Sequence, residues 1–336
     1  MSVFWLVTII ILLALVFDFL NGANDRANAI ATTTATKAMT PLNALVVASV
    51  FNLAGAFAST RVAETIGKGI VDTNSLAPDI FLIVLITGLI GAIIWVFFCT
   101  SIGIPISVSH SLVGGLLGAG IAAGGLIHWD ILTNKVFLAI VLGPFMGLIA
   151  GLLIFSLVSW LIYLVFKHTP TPKVEAIFRR GQIITTPFMA FSHGMNDTQN
   201  AMGVITVALL AGGFIQDFTV PLWVMISCGV VMALGTFLLG WRVMETLGWK
   251  LTKVEAKHGF SAEAGAGLAI LGVSLAGMPA STTHIVASSV IGGSFFQNLR
   301  RIRWSEVEKM VTAWIITIPL SALIGGASYW VVQVGL

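Results

Sequence analysis

The chain has 336 residues, of which 57% are hydrophobic and only 9% charged, with 17 Lys and Arg against 14 Asp and Glu and a formal net charge of +3. A soluble domain carries roughly 25% charged residues, so a chain this long and this poor in charge cannot build a water-facing surface. A soluble enzyme, a nucleic-acid binder and a disordered chain are thereby excluded. A β-barrel is excluded as well, because the apolar runs are continuous rather than alternating. The mean hydropathy of +1.00 fits an all-α polytopic membrane protein.

The first apolar run, Met1–Leu20, has about the 20 residues that a helix needs to cross a bilayer. Its Met1–Phe17 part resembles the apolar core of a signal peptide but has no basic stretch before it, which predicts an uncleaved first span. Asp18 lies in this span with no assigned role. Asn21, Asn24, Asp25 and Asn28 then interrupt the apolar sequence. An aspartate at the centre of a spanning helix costs about 2.5–3.5 kcal/mol on insertion scales. With Gly22 just ahead, the sequence predicts a broken helix whose freed backbone groups line a polar cavity. Arg26 and Lys37 follow, as pairing or interfacial residues, Arg26 also as a weaker candidate for attracting an anion. Arg61 and Glu64 have the i,i+3 spacing of a helix-end ion pair. A long apolar stretch, Ile80–Cys99, leads into Gly103-Ile-Pro-Ile-Ser-Val-Ser-His110, and a further crossing contains Pro144. Cys99 and Cys228 sit in apolar spans without metal-ligand spacing and fit small core residues.

A polar linker, residues 169–180, separates this half from a second one. There the sequence predicts crossings at Gly181–Gly213, Pro221–Gly240 and Ser305–Val334. Between the last two, the arms of Ser261–Asn298 are short and rich in Gly, Ala and Ser, which predicts a re-entrant hairpin turning at Met278–Thr283. Short matches pair the halves in order. Asn21–Ala29 answers His193–Ala201, with Asp25 and Asp197 172 positions apart. Arg61–Gly67 answers Arg242–Gly248, Gly103–His110 answers Gly277–His284, and Trp129 and Pro144 answer Trp304 and Pro319. The expected architecture is therefore two repeats, 1–168 and 181–336. Basic residues orient them. Lys167, Lys173, Arg179 and Arg180, then Arg242, Lys250, Lys253 and Lys257, then Arg300, Arg301 and Arg303 fall in three loops on one side and mark the cytoplasm. Three crossings plus a hairpin per half make the second repeat inverted and put both termini outside, an arrangement found in transporters.

Two duplicated motifs carry the chemistry. Asn24, Asp25 and Asn28, with Asn196, Asp197 and Asn200, supply oxygens suited to a hard cation. The alternative is a polar packing cluster satisfied by its own copy. Pro105 followed by Ser107 and Ser109, and Pro279 followed by Ser281, Thr282 and Thr283, mark helix starts whose free N–H groups and hydroxyls suit an anion. The alternative is ordinary capping of packed helices. His110 and His284 follow these tips as supporting residues, through a hydrogen bond, a contact to the anion or a coupling proton.

With these motifs in place, the duplicated Gly-x-Asn-Asp-x-x-Asn-Ala and Pro-x-Ser-x-x-His sequences resemble those of the inorganic phosphate transporter (PiT) family over essentially the whole chain. The compact length is similar to that of prokaryotic members. The resemblance implies phosphate bound at the broken helices and hairpin tips by Asn24, Asp25, Ser107, Ser109, Asn196, Asp197, Ser281, Thr282 and Thr283. It also implies coupling sodium or protons, and a homodimer. Arg26 and Val108 depart from the family pattern; Val108 stands where a hydroxyl is common. The expected function is phosphate import by cation symport across the cell (inner) membrane, with sodium placed ahead of a proton because the paired oxygens suit a hard cation. No other cofactor is expected. A sulfate or other oxyanion carrier shares the scaffold, so it is the alternative. An intramembrane hydrolase fits poorly, because symmetric copies do not give a catalytic acid and base their different environments.

Overall fold

The computed structural model describes residues 2–246, 248, 251, 254–295 and 302–335. Lys250, Lys253, Arg300 and Arg301, used above for orientation, lie outside the described residues. In the first half the helices are α1 (Val3–Ala35), α2 (Pro41–Gly55), α3 (Arg61–Gly69), α4 (Pro78–Ile102), α5 (Val108–Ala122), a short α6 (Trp129–Ile131) and α7 (Leu138–Val165), the last two joined by a π-helical turn. In the second half they are α8 (Thr171–Ala211), α9 (Leu222–Leu238), α10 (Trp241–Glu245), α11 (Ala256–Leu275), α12 (Thr282–Ser294) and α13 (Trp304–Gly335). Among the described residues, four segments are long and apolar enough to cross a membrane: α1, α4, α6 through α7, and α13. Their lipid-type exterior is plain on α7 and α13, where Leu153, Leu157 and Val331 are exposed. The interior holds the polar side chains, as expected where the bilayer satisfies no hydrogen bonds.

Each half packs onto the other through matched pairs of helices. α1 lies on α9 and α8 on α2, while α7 packs on the α11–α12 pair and α13 on the α4–α5 pair. Small residues set the close approaches. Gly22 faces the backbone of Met232 and Thr236, and its counterpart Gly194 faces the backbone of Asn52.

Two expectations about the helices are corrected. The breaks predicted at the Asn-Asp motifs do not occur: α1 and α8 run through Asn24-Asp25 and Asn196-Asp197 without interruption. Gly22 and Gly194 serve interhelical contact instead, and the motif side chains find partners on other helices, so the helical ladder need not open. The expected linker is also structured from Thr171 onward, as the first turns of α8. Pro172 at the helix start favours this, and Val174 and Phe178 are buried there against Phe260. The hairpins are present as α4–α5 and α11–α12, each first arm ending in a left-handed glycine, Gly103 (φ +78) and Gly277 (φ +68), the usual helix C-terminal geometry. Ser107 and Ser281 cap the second arms, each Oγ accepting from the N–H of His110 or His284 at 3.2 Å.

The predicted pair of Arg61 with Glu64 is not formed. Arg61 donates to the carbonyl of Leu275 at 2.6 Å and Arg242 to that of Ser101 at 2.8 Å, so each arginine serves the carbonyl end of the opposite half's hairpin arm, where a cation is favourable. Glu64 pairs with Lys68 at 3.3 Å instead.

The glycine contacts make a direct prediction. Gly22→Leu or Gly194→Leu drives a side chain into a neighbouring backbone and should cost about 1–3 kcal/mol or more. Gly272→Leu, with nothing within 4 Å of its Cβ, should be nearly neutral. Melting of the purified protein in detergent checks this, and equal midpoints for all three variants would refute it.

Candidate functional site

The site lies where the middle turns of α1 and α8 meet the start of α12. On α1, Asn24, Asp25 and Asn28 share one helical neighbourhood through i,i+3 and i,i+4 spacing, and Asn196, Asp197 and Asn200 repeat it on α8. All six are buried, none more than 2% exposed. Thr283 Oγ1 donates to Asp25 Oδ1 at 2.8 Å, and Thr282 Oγ1 donates to Asp197 Oδ2 at 3.0 Å. Asn28 Nδ2 donates to both hydroxyls, at 3.0 Å to Thr283 and 3.3 Å to Thr282. Asn200 makes the matching bond to the other hairpin, Nδ2 to Ser109 Oγ at 2.7 Å.

The outer asparagines hold the hairpin tips. Asn24 Nδ2 donates to Thr100 Oγ1 at 2.9 Å and its Oδ1 accepts from the Ile106 N–H at 3.4 Å. Asn196 contacts Ser274 Oγ at 2.8 Å and, with its amide turned, donates to Ala280 O and Asp197 Oδ1, each at 3.1 Å. Ser107 and Ser281 are engaged as helix caps. Of the predicted residues, Asp25, Asn28, Asp197, Thr282 and Thr283 therefore converge directly, Asn200 joins through Ser109, and Asn24 and Asn196 tie the tips in place.

The two halves are not equivalent here. The counterpart of Thr282 is Val108, which offers no hydroxyl, and the hydroxyls that reach the two carboxylates both come from α12.

His193 was not among the predicted residues. It stands between the carboxylates, Nε2 3.3 Å from Asp197 Oδ2 and 3.7 Å from Asp25 Oδ2. Its Nδ1 lies 3.0 Å from Asn52 Oδ1, and the Asn52 amide donates to Thr236 at 3.2 Å. Ligand atoms of Asp25, His193 and Asp197 all lie within 4.8 Å of one another, close enough to share one cation. The signal for His193 was its i,i+4 spacing from Asp197. The repeat concealed it, because its counterpart is Asn21, which donates to the Asp197 carbonyl at 3.3 Å. No arginine or lysine bonds to either carboxylate among the described residues.

His110 and His284 meet edge to face across the two hairpins, ring centroids 5.0 Å apart, and His284 stacks on Trp314 at 3.9 Å. All four of their ring nitrogens are buried without a hydrogen-bond partner among the described residues.

A second buried acid, Glu263 on α11, was also missed. It accepts from Thr32 at 2.6 Å, Gln182 at 2.9 Å and Thr186 at 3.2 Å, and from Thr185. Its counterpart by the hairpin alignment is Leu89, so the repeat gave no sign of it. Glu263→Leu leaves the buried donors of Thr32, Gln182 and Thr185 without an acceptor, each worth about 1–3 kcal/mol, while Thr186 keeps the Thr33 hydroxyl. The thermal midpoint in detergent should fall markedly, and by much less for Glu263→Gln. Equal losses would mean that the carboxylate's acceptors do not matter.

A buried, twice-built polar core of carboxylates, amides and hydroxyls inside a lipid-facing helical shell defines a membrane transporter rather than an enzyme. The comparisons place it further. The model of the Phosphate transporter family matches residues 21–325. A protein of Bacillus subtilis described as "Probable low-affinity inorganic phosphate transporter" is 36% identical over 336 residues, covering 99% of both chains. One of Rhizobium meliloti with the same description is 40% identical, covering 96% of this chain and 95% of its own. A solved structure titled "The sodium-dependent phosphate transporter" superposes with a TM-score of 0.90 at 26% identity, covering 98% of this chain and all of the other. The chain belongs to the phosphate transporter family.

Proposed function

We propose that the protein imports inorganic phosphate across the cell membrane in symport with a cation, and that the cation is sodium. The observation that carries this reading is the pairing of Asp25 and Asp197 around a single imidazole, with hydroxyls and amides supplying further oxygens. Two buried carboxylates repel an incoming oxyanion. A cation bound between them reverses that repulsion, so anion and cation each raise the other's affinity, which is coupling in the thermodynamic sense. Asn24, Asn28, Asn196 and Asn200 add oxygens for the cation. Phosphate is held at the hairpin tips, by the hydroxyls of Ser109, Thr282 and Thr283 and the capped N–H groups behind Ser107 and Ser281. The unpaired ring nitrogens of His110 and His284 lie between the two tips and offer donors to the same anion. The matched contacts between halves support an inverted repeat, with the basic loops in the cytoplasm and both termini outside. The sodium-dependent relative of the same fold supports sodium over the proton.

Uptake into proteoliposomes under an inward sodium gradient at equal pH should exceed uptake without sodium; no stimulation would remove sodium from the reading. Asp25→Asn and Asp197→Asn should each abolish coupled uptake, by at least about 100-fold if one buried charge interaction of ~3 kcal/mol is lost, while expression is kept. Full transport by both would contradict the assigned roles. A carboxylate facing the anion accepts a hydrogen bond from monohydrogen phosphate but not from sulfate. A large excess of sulfate should therefore leave labelled phosphate uptake intact, and effective competition would favour the broader oxyanion carrier.

A further inference from the structure

A cavity of about 360 Å³ opens beside the site, between the end of α4 and the α9–α10 corner, lined among others by Arg26, Thr100, Ser101, Trp241 and Arg242. Two arginines and two hydroxyl residues line it, and among the described residues no carboxylate does. The nearest acid of α10, Glu245, is taken by the Trp241 indole at 3.0 Å.

Arg26 is only 5% exposed. Its Nη1 donates to the Leu239 carbonyl at 3.0 Å and its guanidinium lies 5.4 Å from the centre of the Trp241 ring. Its Nε has no partner among the described residues, so a buried, fixed cation is left with a free donor. The far wall is the site itself, since Thr100 accepts from Asn24, the residue before Asp25. The second half has no equivalent: the counterpart of Arg26 is Thr198, whose hydroxyl contacts Met232. Arg26 thus breaks the match between the motifs with a permanent positive charge, and it faces a hollow one residue away from the transport core.

We propose that this cavity binds a phosphate group, with Arg26 and Arg242 as its cations. Arginine suits phosphate because its planar fork donates in a fixed geometry. The group can be free phosphate in transit to or from the core, which rests on the transport reading above. It can equally be an anionic lipid headgroup, since Phe97 and Leu238 at the rim are exposed apolar side chains.

Ser101→Cys places a thiol in the cavity, against a background in which Cys99 and Cys228 are buried. The protein is reconstituted in phosphatidylcholine nanodiscs and modified with anionic and cationic thiosulfonates, each rate normalised to that of a free thiol. The anionic reagent should be favoured. Arg26→Gln should slow the anionic reagent roughly fourfold, as one unit charge taken at about 5 Å in a water-like medium predicts, and Arg26→Lys should largely retain its rate. Inorganic phosphate should slow modification in the Arg26 protein. Protection by phosphate in neutral lipid identifies the transported anion, and protection by phosphatidylglycerol alone identifies the headgroup; either supports the site. Modification that neither slows overturns it, whatever Arg26→Gln does. Phosphate uptake by the Ser101→Cys protein without protection removes only this inference, whereas absence of uptake by the unsubstituted protein removes the transport reading.

Discussion

Asp25 and Asp197 are buried side by side with His193 between them, and among the described residues no arginine or lysine answers their charge. In a medium that solvates ions poorly, such a pair persists only if something positive joins it or the surroundings supply donors. Both conditions shape the rest of the protein. Thr282 and Thr283 donate from the start of α12, Asn28 holds those hydroxyls in place, and Asn52 orients the imidazole from behind. The hairpin tip must therefore sit at one position relative to α1 and α8.

That position is fixed from outside the site as well. Arg61 and Arg242 each cap the carbonyl end of the opposite half's hairpin arm, and Thr65 and Thr246 donate to the carbonyls of Gly277 and Gly103 at 2.8 and 3.0 Å. Each half thus positions the other's hairpin. The duplication makes the site a shared product of both halves, so that neither repeat contains it alone.

The departures from that duplication are as informative as the duplication. His193 against Asn21, Glu263 against Leu89 and Arg26 against Thr198 each place a titratable group on one side only, and Thr282 against Val108 does so with a hydroxyl. Two halves built alike would offer two equal sites. These substitutions leave one site, with hydroxyls to both carboxylates drawn from a single hairpin and an arginine-lined hollow on one flank.

The amino-acid sequence by itself determined that the chain is a helical membrane protein in two related halves, because apolar length, charge scarcity and repeated motifs are local properties that need no coordinates. It also singled out Asp25, Asp197, Thr282 and Thr283, since an acid or a Pro-hydroxyl tip in an apolar setting is costly enough to mark itself. Only the tertiary structure decided that α1 and α8 stay unbroken, because the partners that satisfy Asn24 and Asn28 come from α4, the turn before α5 and the start of α12, up to 255 residues away in the chain. The same holds for His193 and Glu263. Their counterparts in the other half, Asn21 and Leu89, are not titratable, so the repeat did not mark them, and most of their partners come from other helices across the core.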